Sequence, residues 1–148
     1  MKTIKTPCIG VCSTGIGDDV CRGCKRFSNE VINWNSYTDG ERDNVMRRLQ
    51  SLLAQVVNSK VHIFNGAKLK AELHCQQIRF DEAANPETWL FTLLKAGANQ
   101  INNLETFGCR AHTEWDKCSF AELRDAIDAD FYTLSCAHFQ RYFMFDHE

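Results

Sequence analysis

Four cysteines, Cys8, Cys12, Cys21 and Cys24, fall within the first 24 residues in two close pairs, joined by a loop that carries Gly15, Gly17, Asp18 and Asp19. Four thiolates suffice for tetrahedral zinc or for an iron–sulfur centre, so this clustering constrains the N-terminal fold more than any apolar pattern in the chain. Zn–S bonds of about 2.3 Å draw four sulfurs into a tetrahedron that a short segment can close, as in knuckles and ribbons. Iron–sulfur clusters are bulkier, and their common ligand spacings differ from this one. Zinc is therefore the expected cofactor, with an iron–sulfur cluster as the alternative. Gly23, inside the second pair, lets backbone amides approach sulfur, and Arg22, Lys25 and Arg26 flank that pair as cations that favour thiolates.

The redox setting bears on how the eight cysteines are read. The first residues lack the apolar run of a secretion signal, and no stretch approaches the length of a membrane span. A cytoplasmic, non-membrane protein is expected, in which metal ligation or free thiols take precedence over disulfides. The net charge of −2 is unevenly spread: residues 1–60 hold nine basic against six acidic residues, and residues 61–148 hold eight against thirteen. Such a balance disfavours nonspecific nucleic-acid binding by the whole chain.

Periodicity predicts a mainly α fold, with a four-cysteine metal knuckle packed on a small helical body and one short strand or hairpin. Ser28 to Trp34 reads as a short helical turn. Thr38 and Glu41 form a capping box for a long helix ending near Asn58, whose Val45, Leu49, Leu52, Leu53 and Val56 share one face, with Arg42, Arg47 and Arg48 mainly elsewhere on its surface. Val61 to Phe64 reads as a strand or extended connector. Ala67 to Ile78 is a helix; Asn85-Pro86-Glu87 opens another carrying Trp89, Leu90, Leu93 and Leu94. Ser119 and Glu122 cap a helix to about Asp128, and Asp130 to Phe143 forms a final one. The aromatic group Phe131, Tyr132, Phe139, Tyr142, Phe143 and Phe145 is expected in a core. The division along the chain is a metal-binding module with the long helix, 1–59, and a helical region, 60–148.

Pro7-Cys8-Ile9-Gly10-Val11-Cys12, then Cys21-Arg22-Gly23-Cys24-Lys25-Arg26, then Glu30, Ile32, Trp34 and Glu41-Arg42, resembles a small bacterial domain of unknown function, DUF 1289, over residues 7–52. That family is described as predicted iron–sulfur proteins, and the resemblance implies Cys8, Cys12, Cys21 and Cys24 as metal ligands. It supplies no activity, and residues 60–148 lie outside it.

Two weaker constellations stand beside the cluster. Phe27 and Trp34 near Arg22, Lys25 and Arg26 form a candidate partner surface, aromatic rings for bases and cations for phosphates, suited to an RNA or a protein. Cys109, His112 and Cys118 have spacings that a second metal site or a Cys/His pair would use. Cys75, Cys136, His74 and His138 read as structural residues. A closed four-sulfur site leaves no position for substrate, so a binding or adaptor module is expected rather than an enzyme; an iron–sulfur redox or sensor protein is the alternative, and a Cys/His-dependent enzyme a third reading.

Overall fold

The computed structural model describes residues 6–10 and 12–143; Phe145 of the aromatic group lies outside them. Among the described residues, five helices and one two-stranded ladder make a mainly α fold. They run in the order α1 (Ser28–Asn33), α2 (Asp39–Asn58), β1 (Val61–Ile63), α3 (Gly66–Cys75), α4 (Pro86–Gly97), β2 (Cys109–Ala111) and α5 (Phe120–Phe143). Short 3-10 turns at Thr14–Ile16, Trp34–Ser36 and Leu104–Phe107 punctuate the connections.

Local chemistry sets the helix starts. At α2, Thr38 Oγ1 accepts from the Glu41 amide (3.2 Å) while Glu41 returns a carboxylate oxygen to the Thr38 amide (3.1 Å), which satisfies two otherwise orphaned donors. Val45, Leu49, Leu52, Leu53 and Val56 are all buried as their spacing predicts, each stabilising by about 1.5–3 kcal/mol. Asn85 Oδ1 caps α4 through the Thr88 amide at 3.0 Å, with Pro86 in the first turn.

Two helix ends differ from the pattern. The helix expected over 67–78 stops at Cys75, where Gln77 turns left-handed (φ +56°) and the Ile78 amide reaches back to the Leu73 carbonyl at 3.0 Å. That is a Schellman closure, reached here without the usual glycine. The two helices expected over 119–128 and 130–143 are one, α5. Nothing between Asp128 and Phe131 breaks a helix, and Asp128 and Asp130 stay exposed while Leu123, Ile127 and Phe131 continue one buried row.

The chain forms two compact units. One comprises Met1–Leu52 with Phe131–Glu148, and the other Leu53–Asp130. The first of these units joins the cysteine-bearing segment to the end of α5.

In the second unit, β1 pairs antiparallel with β2, 48 positions away, in the register Val61↔Ala111, His62↔Arg110 and Ile63↔Cys109. Beyond the ladder, Phe64 and Asn65 amides both donate to the Gly108 carbonyl (3.0 and 3.1 Å). Gly108 has φ +73°, and a Cβ there would stand 2.4 Å from the Asn65 carbonyl oxygen. A side chain is excluded on both counts. The Gly108→Ala variant should lose about 2–5 kcal/mol of stability, read by urea denaturation. Unchanged midpoint and slope would show that this close approach does not matter.

Candidate metal centre

The second cysteine pair lies on a tight knuckle. Val20 and Phe27 bridge across its base. Between them the Cys21 amide donates to the Arg26 carbonyl (2.9 Å), and the Lys25 amide to the Cys21 carbonyl (2.8 Å). Lys25 takes a left-handed backbone (φ +66°) to close the turn. Its side chain folds underneath, where Nζ donates to the Arg22 carbonyl (2.5 Å) and the Gly23 carbonyl (3.1 Å) and stands 5.5 Å from the Phe131 ring centre. Ser13 ties in the loop by accepting from the Arg22 amide at 2.8 Å.

This turn aims donors at sulfur. Burial pushes the Cys21 thiol up, but the backbone amides of Cys24, Ser13 and Gly23 and the Cys24 side chain together bring it down to about 7. Cys24 is raised, burial outweighing the Arg26 guanidinium, whose Nε donates to its Sγ at 3.2 Å. The first pair is exposed. Gly10, at φ +89°, turns its amide onto Cys8 Sγ (3.4 Å), and Cys12 Sγ lies 3.1 Å from Thr14 Oγ1. Sequence reasoning singled out Gly23 for such contacts and missed Gly10 and Ser13.

The structure brings Cys21 and Cys24 within hydrogen-bonding reach of each other and leaves Cys8 and Cys12 apart from them. Among the described residues no three Cys, His, Asp or Glu side chains converge as ion ligands. The donor chemistry of the buried pair nevertheless fits a metal-bound thiolate: amides and a guanidinium face the sulfurs, the set that stabilises negative charge on a ligand.

The candidate partner surface is corrected by its burial. Of Arg22, Lys25, Arg26, Phe27 and Trp34, only Arg22 is exposed; its Nε meets Asp18 at 3.2 Å and its guanidinium covers the Tyr132 ring. Lys25 is 2% and Arg26 3% exposed, and Phe27 and Trp34 are buried. The cations turn inward because the knuckle's carbonyls, its sulfur and nearby rings satisfy them there. Phe27 sits under the Arg48 guanidinium (3.9 Å to the ring centre) and meets Phe139 and Phe143 edge-on at 5.4 and 5.8 Å.

The arginines of α2 also depart from expectation. Arg47 is exposed beside Asp43, but Arg48 forms a two-pronged ion pair with buried Glu30 (2.5 and 2.6 Å). Glu30 Oε1 also accepts from the Phe27 amide at 2.8 Å, fastening α1 to its own entry. Arg42 donates to the Trp34 carbonyl at 3.0 Å.

Elsewhere, Cys109, His112 and Cys118 are not gathered. Cys109 is fully buried, its thiol donating to the Phe107 carbonyl at 3.4 Å, and burial pushes it up to about 12. His112 Nε2 pairs with the Asn58 carbonyl (3.0 Å), and Cys118 is half-buried. Exposed His74 meets Glu82 at 2.8 Å, and exposed Cys75 follows it on α3. Cys136 hydrogen-bonds Tyr132, whose hydroxyl is raised by burial and by that contact. The aromatic group is divided: Phe131 is buried, Tyr132 and Phe139 are half-buried, and Tyr142 and Phe143 are exposed at a cleft of about 490 Å³ over Phe27 and Arg48. No described helix is long and apolar enough to cross a membrane.

Residues 6–53 match a family described as a protein of unknown function, DUF1289. An uncharacterised protein, YdhL, of Escherichia coli K12 is 41% identical over 44 residues, which cover 30% of this chain and 54% of YdhL. YdhL of Shigella flexneri matches with the same identity and coverage. The chain thus spans about half the length of the curated relatives it matches. No solved structure matches the chain.

Two expectations follow from this geometry. Lys25→Ala removes charge-assisted bonds to two carbonyls while keeping the left-handed backbone, so urea denaturation should show a loss of about 2–3 kcal/mol. A loss below 0.5 kcal/mol would remove Lys25 from the closure of the turn. In native protein treated with iodoacetamide and mapped by mass spectrometry, exposed Cys75 should label readily and buried Cys109 about 100-fold more slowly. Rapid labelling of Cys109 would contradict its burial and revive a nucleophilic role.

Proposed function

We propose that the cysteine-bearing unit is a metal-binding module in which Cys8, Cys12, Cys21 and Cys24 hold a structural zinc ion, and that the protein works as a binding or adaptor module rather than an enzyme. The observation that carries this reading is Arg26, a guanidinium buried to 3% exposure with its Nε on Cys24 Sγ. A buried cation costs several kcal/mol unless an anion meets it. Glu30 is the one buried carboxylate among the described residues, and it serves Arg48. The atom that Arg26 Nε meets is Cys24 Sγ, and a negatively charged sulfur there would answer the guanidinium.

The formal charges agree. Four thiolates around a divalent ion total −2, and Arg26 brings a buried positive charge to the same turn. Cys21, held near 7, needs little displacement of its proton to become a ligand at neutral pH. Zinc bound by four sulfurs would stabilise the segment's fold and leave no open coordination position. The neutral, buried Cys109 supports the same non-enzymatic reading. A partner would meet the module elsewhere than on Lys25, Arg26, Phe27 and Trp34, which are buried; Ile9, Ile16 and Ile32 are the large apolar side chains exposed in this segment.

Elemental analysis of protein purified anaerobically from metal-replete cells tests the proposal. About one zinc per chain is expected, with Cys24→Ser losing it and chelation lowering Tm by about 10 °C or more. Metal-free wild-type protein would overturn the reading. Iron with acid-labile sulfide would replace zinc by a redox cluster held on the same cysteines.

A further inference from the structure

Arg26 touches both cysteines of the buried pair. Its carbonyl accepts from the Cys21 amide at 2.9 Å, and its Nε reaches Cys24 Sγ at 3.2 Å. The guanidinium does not hold this position alone. It lies over the Trp34 indole, 4.9 Å from the ring centre, and the Arg42 guanidinium stands 5.8 Å from that same ring. Arg42 in turn grips the backbone under the indole, donating to the carbonyls of Trp34 (3.0 Å) and Asn35 (3.2 Å), with Asp39 3.7 Å away. The result is a chain of contacts, Arg42–Trp34–Arg26, that starts on α2 and ends on a cysteine sulfur.

A flexible ammonium at position 26 would not reproduce it. The guanidinium lies over the indole and still places Nε on sulfur, and its charge is permanent.

We propose that Arg26, clamped by Trp34 and Arg42, is the positioning residue that offsets the negative charge of the metal–thiolate site and slows loss of the metal. The proposal rests on the four-cysteine metal reading above and adds to it a determinant of retention that is not itself a ligand. A hydrogen bond from a charged donor lowers the energy of the sulfur lone pair and disfavours its replacement by water or a competing chelator. Arg26→Gln removes the charge, Arg26→Lys keeps charge but loses the guanidinium, and Trp34→Phe weakens the clamp while leaving Arg26 in the chain.

The test uses full-length protein reconstituted with zinc and challenged with excess EDTA, the released zinc being followed over time. R26Q should release zinc at least tenfold faster than wild type, with R26K and W34F in between. Leu49→Ala serves as the stability control, since it loosens the same unit from the buried face of α2 and lies outside the cysteine turn, and its release should stay near the wild-type rate. In cobalt-substituted protein the thiolate-to-cobalt absorption should move to longer wavelength in R26Q, a signature that general destabilisation does not produce.

Wild-type protein that binds zinc while R26Q releases it at the wild-type rate would overturn the role of Arg26 and leave the metal reading standing. Equal acceleration by L49A, with no cobalt band shift in R26Q, would do the same. Wild-type protein that binds neither metal would overturn the metal reading itself and this role with it. If R26Q does not fold, W34F and Arg42→Gln decide: faster release with retained helicity supports the clamp, and wild-type release in both refutes it.

Discussion

The ring of Phe27 is the point on which the cysteine-bearing unit depends. Its backbone closes the knuckle against Val20 and begins α1, and its amide is capped by Glu30. Its ring is covered by Arg48 of α2 and met by Phe139 and Phe143 of α5. One side chain thus joins the cysteine-bearing turn to three helices. Burial of an aromatic of this size, with edge-on partners and a guanidinium on its face, outweighs any single hydrogen bond of the turn.

Around that ring the electrostatics are arranged in pairs. Glu30 answers Arg48, knuckle carbonyls answer Lys25, and the Cys24 sulfur answers Arg26. An unanswered charge in such a place would cost more than the turn could recover from its backbone bonds. The amides facing Cys21 and the guanidinium facing Cys24 act in the same direction, toward negatively charged sulfur. Burial acts against them, and the balance differs between the two cysteines: Cys21 comes down and Cys24 goes up.

The second unit follows a plainer logic. Its core is apolar, drawn from α3, α4 and the ladder of β1 with β2, with Cys109 buried in it. Buried Lys60 meets Asp130 at 2.6 Å and the Trp115 ring at 4.1 Å, a satisfied structural cation. Cys109 is an apolar filler whose thiol stays protonated. The features of this unit that resist substitution are geometric, above all the approach of Gly108 to Asn65.

Elements governed by short-range chemistry were legible in the chain alone. The capping pairs at Thr38 and Asn85, the apolar face of α2, the strand at Val61–Ile63 and the clustering of four cysteines all depend on residues within a few positions of one another. The cysteine motif also carried its family resemblance, over the segment that the family match covers. Tertiary structure alone decided the direction of the charges and rings. Arg22, Lys25 and Arg26 look alike in sequence, yet one faces water and two are buried, because their partners are a carbonyl turn, a sulfur and an indole positioned by α2 and α5. The return of Phe131, Phe139 and Phe143 to a knuckle more than a hundred positions earlier leaves no local trace. Side-chain periodicity reports which face of a helix is apolar, but which distant surface that face meets is settled only when the whole chain packs.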